Sequence, residues 1–167
     1  MSVLVTYGSK RGGTAGLAEM LGDRLRDEGL AAEVVAAREV RDVDAYDAVV
    51  IGGALYANRW HRDARRFVKR QTGQLRQRAT YLFSSGPLDD SATQREIPPV
   101  KGVQTLIERV GARGHMTFGG RLSPDAKGFP AKAMAKKRSG DWRDHDHVRT
   151  WARQLASELR AEVTQGG

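Results

Sequence analysis

Val3-Leu4-Val5-Thr6-Tyr7-Gly8-Ser9-Lys10-Arg11-Gly12-Gly13-Thr14 decides how the rest of the chain is read. An apolar run enters a loop of small, hydroxylated and basic residues, and a helix is predicted to begin at about Thr14. A continuous apolar run is the pattern of a strand buried on both faces. Such a strand–loop–helix turn aims backbone N–H groups, the hydroxyls of Ser9 and Thr14 and the positive end of a helix dipole at one point. That point suits a phosphate. Spacing separates this loop from other phosphate cradles. Gly8 and Gly13 have the separation of a Walker loop, but Thr14 stands where its Lys belongs and Ala15 follows, which argues against an ATP or GTP machine. The turn also lacks the G-x-G-x-x-G run of a dinucleotide fingerprint. A Ser-x-x-Gly-x-Thr loop remains, with an ordinary Gly-rich turn as its alternative.

Outward from this turn, strand and helix patterns alternate to the end of the chain. Strands are predicted at Val3–Tyr7, Glu33–Ala37, Ala48–Gly53, Ala79–Ser84 and Gly114–Gly119. Helices are predicted at Thr14–Glu28, His61–Leu75, Val100–Val110 and His147–Leu159, and Arg38–Tyr46 has room for one or two turns. Leu17, Ala18, Leu21 and Leu25 recur at helical spacing, as do Val103, Leu106, Ile107 and Val110. Gly29 is placed to end the first helix. This βαβ alternation predicts an α/β fold, a five-stranded parallel sheet in the order 2-1-3-4-5 with helices on both faces. Ligands in such sheets bind outside the carboxyl ends of the strands, at the switch between the first and third. No repeat or break in composition divides residues 1–167, so one domain is expected, carrying a long irregular basic insert at about 120–146.

Composition narrows the function classes. A chain of 167 residues can bury a full-sized core. It contains no cysteine, so disulfides and thiolate metal sites are excluded. No apolar run approaches the length of a membrane span, and the chain opens directly on strand residues, so a cytoplasmic protein without a signal peptide is expected. The net charge of +8 is concentrated in two stretches. From Arg59 to Arg78, cations stand at Arg59, Arg62, Arg65, Arg66, Lys69, Arg70, Arg76 and Arg78 against Asp63 alone. From Arg121 to Arg143 they stand at Arg121, Lys127, Lys132, Lys136, Lys137, Arg138 and Arg143 against Asp125 and Asp141. Such stretches suit acidic proteins, carboxylated substrates or anionic lipid surfaces, or are simply solvated. Charge alone would also fit a cofactor-free anion or nucleic-acid binder, but no base-stacking module accompanies it.

Two further loops follow the third and fourth strands. Gly52-Gly53-Ala54-Leu55-Tyr56-Ala57-Asn58-Arg59-Trp60 joins paired glycines, which let a flat ring approach the backbone, to two aromatics that can stack on one. Tyr56 is the candidate for stacking; Trp60 either shares that role or packs under the next helix. Phe83-Ser84-Ser85-Gly86-Pro87-Leu88 offers backbone N–H groups and hydroxyls, and no aromatic follows in Asp89-Asp90-Ser91-Ala92-Thr93. A ring held here is therefore covered on one face only.

Ser9-Lys10-Arg11-Gly12-Gly13-Thr14 resembles the FMN-phosphate loop of flavodoxins at Ser9, Gly12 and Thr14, and the two further loops lie in that family's order. Within the superfamily the chain is similar to the menaquinone-dependent protoporphyrinogen IX dehydrogenase branch. Gly52–Leu55 compares with a Gly-Ala-Ser-Ile loop, Gly119-Gly120-Arg121-Leu122 opens a basic insert, and Gly140-Asp141-Trp142-Arg143-Asp144 closes it. The insert is shorter than that branch carries, and Tyr56 stands where the branch has an Arg. The resemblance implies a flavodoxin-like three-layer αβα sandwich and FMN as cofactor. Ser9, Lys10, Arg11, Gly12, Gly13 and Thr14 would hold the phosphate, Ala54, Leu55 and Tyr56 one side of the ring, and Ser85, Gly86 and Pro87 the other. No catalytic side chain is required, since the redox chemistry belongs to the flavin. The implied function is a flavoprotein oxidoreductase of heme biosynthesis that passes hydrogen from a carboxylated tetrapyrrole to a quinone, with peripheral contact at an anionic inner membrane face. The alternative is an electron-carrier flavodoxin that docks on an acidic redox partner. Carrier flavodoxins are typically acidic, so a basic member is unusual. His145 and His147 flank Asp146 beside Asp144; helix capping explains these acids without a metal.

Overall fold

The computed structural model describes residues 1–9, 13–56, 59–86, 91–94, 97–119, 121–122, 140–141 and 143–166. Five strands, β1 (Ser2–Gly8), β2 (Ala31–Ala36), β3 (Ala48–Tyr56), β5 (Ala79–Ser85) and β6 (Gly114–Phe118), form a parallel sheet in the spatial order β2-β1-β3-β5-β6. With one added hairpin strand set aside, this is the predicted 2-1-3-4-5 order. That strand, β4 (Arg59–Trp60), pairs antiparallel with the end of β3, Leu55 opposite Trp60 and Tyr56 opposite Arg59. The sequence pattern predicts a loop from Gly53 to Trp60. Instead β3 runs on past the sheet and the chain turns back, closed by the bond from the His61 N–H to the Ala54 carbonyl (2.9 Å).

Alternation along the strands feeds two cores. Val3, Val5, Val50, Tyr81 and Phe83 face α1 (Gly13–Asp27) and α6 (His145–Gly166). Leu4, Val49, Ile51 and Leu82 face α2 (Arg62–Arg70) and α5 (Lys101–Val110). Period-two strands buried on both faces explain why these runs are apolar throughout. Gly29 ends α1 with φ of 87°. The Leu30 N–H bonds the Leu25 carbonyl (3.1 Å) and the Gly29 N–H that of Arg26 (2.9 Å), the Schellman arrangement that favours glycine there.

Several predicted elements differ in extent. The helix expected over His61–Leu75 breaks at Gln71, leaving α2 and a short α3 (Thr72–Leu75). Gln71 is buried because its side-chain amide donates to the Arg41 carbonyl (2.8 Å), and the Thr72 hydroxyl turns back onto the Val68 carbonyl. The Arg38–Tyr46 segment contributes one 3-10 turn, Ala37–Glu39. The last helix starts at His145, ahead of the expected His147, because Asp144 caps it, its Oδ1 accepting from the His147 N–H (3.0 Å). A short α4 (Ser91–Gln94) lies beside β6. The basic insert is closed at its base by β7 (Arg121–Leu122) pairing antiparallel with β8 (Gly140–Asp141). Its span between these strands, including the short basic helix expected over Ala131–Arg138, lies outside the described residues.

Candidate functional site

The register brings the expected site residues to one edge. Gly8 stands opposite Gly53, Ala54 opposite Ser85, and Ser85 opposite Phe118. The carboxyl ends of β1, β3 and β5 therefore lie side by side, with Ser9, Ala54–Tyr56 and Ser85–Gly86 leaving from adjacent strand ends. Lys10, Arg11, Gly12 and Pro87 lie outside the described residues. For Tyr56 the backbone belongs to β3, and its side chain lies outside the description.

At the first loop, β1 ends at Gly8 and α1 begins at Gly13, with Thr14 fully buried in its first turn. Among the described residues the Thr14 Oγ1 has no hydrogen-bond partner. A buried hydroxyl left without a partner costs about 1–3 kcal/mol. No acidic residue occupies the first turn of α1, so the positive end of this 15-residue helix meets no carboxylate of its own. An anion at this point would satisfy both groups. A helix start and a stranded hydroxyl on the same turn are what a phosphate needs.

The neighbouring elements are packed tightly around this turn. A Cβ on Gly8 would overlap the backbone N of Ala64, so α2 sits directly on the end of β1. The Arg143 guanidinium occupies the space a side chain at Gly16 would take. Arg143 is not among the residues expected from the sequence. It lies just before α6, far along the chain from α1, and only the packing of α6 on α1 brings it to the start of α1.

At the second and third loops the structure corrects the reading of the paired glycines. The rings that approach them are the protein's own: Phe83 covers Gly52 and Trp60 covers Gly53. Trp60 is buried, and its Nε1–H donates to the Ser84 Oγ (3.0 Å). It is therefore a core residue that pins the β3–β4 hairpin to the sheet. Ser84 Oγ in turn meets His115 Nε2 at 2.9 Å. The Ser84 hydroxyl thus accepts from the indole and joins Trp60 to His115 in one buried chain of hydrogen bonds. Burial holds the His115 pKa down to about 4, so the ring stays neutral through the physiological range. Ser84 is thus engaged inside the fold, whereas Ser85 and Gly86 follow it to the edge. Leu55 reaches across to Gly86, where a Cβ would come within 2.8 Å of Leu55 Cδ1. The side chain of Leu55 therefore joins the second loop to the third.

A separate cavity of about 530 Å³ lies on the outer side of β6, lined by Tyr81, His115, His147, Trp151 and Glu158 among others. Part of its polar lining is paired: the Tyr81 hydroxyl donates to Glu158 (2.9 Å), and Arg113 forms a two-pronged pair with Glu162 nearby, whereas the buried His147 Nδ1 has no hydrogen-bond partner among the described residues. Burial lowers the His147 pKa, with Asp144 opposing the shift. The His147 ring stands edge-on to Phe118 at 4.7 Å. For an anion the carboxyl edge is the better site: the helix start there carries no acid, whereas the cavity is lined by the Glu158 carboxylate and the first turn of α6 carries Asp146. Among the described residues no group of three His, Asp or Glu side chains is placed to hold a metal.

The flavodoxin domain family matches residues 4–139. A comparison with curated protein sequences finds no match. Among solved structures, a mutant form of flavodoxin from Pseudomonas aeruginosa is 15% identical with a TM-score of 0.62, the match covering 96% of this chain and 99% of that one. A Fusobacterium nucleatum flavodoxin bound to flavin mononucleotide is 12% identical with a TM-score of 0.54, covering 94% and 98%. Rubredoxin oxygen:oxidoreductase from Desulfovibrio gigas is 14% identical with a TM-score of 0.65; the match covers 97% of this chain but only 37% of that one.

Proposed function

Because this chain belongs to the flavodoxin domain family, we propose that it is an FMN-dependent redox protein with one cofactor across the carboxyl ends of β1, β3 and β5. The observation that carries the reading is the buried Thr14 Oγ1, without a partner among the described residues, in the acid-free first turn of α1. In this reading Ser9, Lys10, Arg11, Gly12, Gly13 and Thr14 bind the phosphate through backbone N–H groups, two hydroxyls and cations. Ala54, Leu55 and Tyr56 flank the ring on one side, and Ser85, Gly86 and Pro87 on the other. Bound there, FMN supplies the exchange of electrons and hydrogen. The chain's own residues orient it. Trp60 and Ser84 fix the hairpin that carries Tyr56, and Leu55 against Gly86 sets the gap between the two loops.

The enzyme reading is an oxidoreductase resembling protoporphyrinogen IX dehydrogenase, taking hydrogen from a carboxylated tetrapyrrole and delivering it to a quinone. The cations of the insert support it, since they suit both a carboxylated substrate and an anionic membrane surface. No helix among the described residues is long and apolar enough to cross a membrane, so contact with lipid would be peripheral. The second reading, an electron carrier, is supported by full-length agreement with flavodoxins and by exposed cations on α2.

Freshly purified protein should show a flavin absorption spectrum. Apo-protein titrated with FMN and riboflavin should prefer FMN. Equal affinity for the two would show that the loop holds no phosphate, and binding of neither would end the FMN reading. Tyr56→Ala should weaken FMN by roughly 0.5–1.5 kcal/mol; no loss would remove Tyr56 from the ring.

A further inference from the structure

The cations between Arg59 and Arg78 divide into two sets. Four are engaged by backbone carbonyls. Arg65 Nε donates to Trp60 O (2.9 Å), Arg70 to Val40 O (3.1 Å), Arg76 to Arg109 O (2.8 Å) and Arg78 to Gln74 O (2.8 Å). Arg59, Arg62, Arg66 and Lys69 are exposed, and among the described residues none of them has an ion pair or hydrogen bond. Arg62, Arg66 and Lys69 recur at i, i+4 and i+7, so they form one outward stripe on α2. Arg59, on β4 just before α2, is a further exposed cation. The only acid of α2 is Asp63, which is half-buried and faces His61 at 3.9 Å.

The position of the stripe gives it a use. The first turn of α2 packs on Gly8, where β1 ends at the phosphate loop. Strand β4 hangs on the extension of β3 that carries Ala54 and Leu55. The stripe therefore begins at the rim of the candidate flavin site. At its far end, Arg70 and Gln71 tie α2 to the segment carrying exposed Glu39, Asp42 and Asp44. That segment also exposes Arg38 and Arg41 and so is close to balanced in charge, whereas the exposed stripe carries cations alone. Four like charges held together without counter-ions destabilise their own surface unless an anionic partner neutralises them.

We propose that Arg59, Arg62, Arg66 and Lys69 are the docking surface for an acidic redox protein, which exchanges single electrons with the cofactor at the adjacent rim. The inference rests on the FMN reading in its electron-carrier form and adds the place at which the acidic partner docks. Complementary charge there steers encounter and orients the partner's redox centre toward the rim. The rate is set by the local field and not by net charge alone.

The test uses FMN-loaded protein and, as probe, a reduced acidic [2Fe–2S] ferredoxin. One electron leaves the ferredoxin cluster and enters FMN, and stopped-flow absorbance reads the second-order rate. The variant Arg62→Glu/Arg66→Glu/Lys69→Glu should lower that rate by about tenfold or more at low salt. It should also remove the salt dependence, and weaken ferredoxin binding to the apo-protein by calorimetry. A basic c-type cytochrome as acceptor should respond in the opposite direction. The control Arg24→Glu/Arg153→Glu/Arg160→Glu makes the same change in net charge at the other end of the sheet and should have much less effect. An unchanged rate in the α2 variant, or an equal loss in the control, overturns the stripe. So does loss of binding to anionic vesicles or duplex DNA with ferredoxin exchange intact. Failure of the wild-type protein to take up FMN overturns the functional reading together with this proposal, whereas FMN uptake with an unchanged rate overturns the stripe alone.

Discussion

Thr14→Val separates a site hydroxyl from a structural one, because the two roles predict opposite signs for the apo-protein. Thr14 is fully buried, and its Oγ1 has no partner among the described residues. In the apo-protein that hydroxyl is a burden of about 1–3 kcal/mol. Replacing it by a methyl group of similar shape should leave stability unchanged or raise it within that range. Bound phosphate reverses the sign. A hydrogen bond to a charged acceptor contributes about 1.5–3 kcal/mol, so the variant should bind FMN roughly 10- to 150-fold more weakly. Riboflavin, which lacks the phosphate, should bind wild type and variant alike. Urea unfolding of the apo-protein and fluorescence titration with both flavins provide the numbers. The reasoning is refuted if Thr14→Val destabilises the apo-protein by more than about 1 kcal/mol, since the hydroxyl would then have a partner within the fold. It is equally refuted if riboflavin and FMN weaken together.

Three other outcomes follow from the packing. Ser84→Ala strands the Trp60 N–H and His115 in a buried setting and should cost about 1–3 kcal/mol, read as a lower urea midpoint at unchanged slope. His115 titrates at about 4 in the fold against about 6.5 unfolded. Below about 6.5 the unfolded chain therefore binds the extra proton, and stability present above that pH is lost as pH falls toward about 4. The full difference is about 3 kcal/mol, so His115→Gln should flatten the acid limb of the stability profile, and parallel profiles would refute the assignment. Gly8→Ala should destabilise by roughly 1–3 kcal/mol through overlap with Ala64. Gly73→Ala, in α3 with open space around its Cα, should stabilise by up to about 1 kcal/mol; the reverse ranking in thermal melts would contradict the packing described.

Element types were legible in the sequence because they depend on short-range periodicity, and strand order because βαβ alternation admits few topologies. Val3–Tyr7 and Ala48–Gly53 read as doubly buried strands, Leu17 to Leu25 as one helical face, and Gly29 as a helix end. Each needs only neighbours a few residues away. The phosphate turn is local in the same sense, since Gly8, Ser9 and Thr14 lie within one strand–loop–helix passage. Tertiary structure decided what depends on residues distant along the chain. Trp60 belongs to the core because Gly53 leaves room for its ring and Ser84 accepts its N–H. The paired glycines suggest space for a foreign ring, and composition cannot say that Phe83 and Trp60 fill it. Gln71 interrupts a helical pattern because the Arg41 carbonyl captures its side chain. The cations of Arg59–Arg78 look alike in sequence. Half are held by carbonyls and half stand out from the surface, according to which carbonyls the fold brings within reach. Periodicity determines which face of an element is buried; what occupies the space against that face is settled only when the sheet and its two helical layers close together.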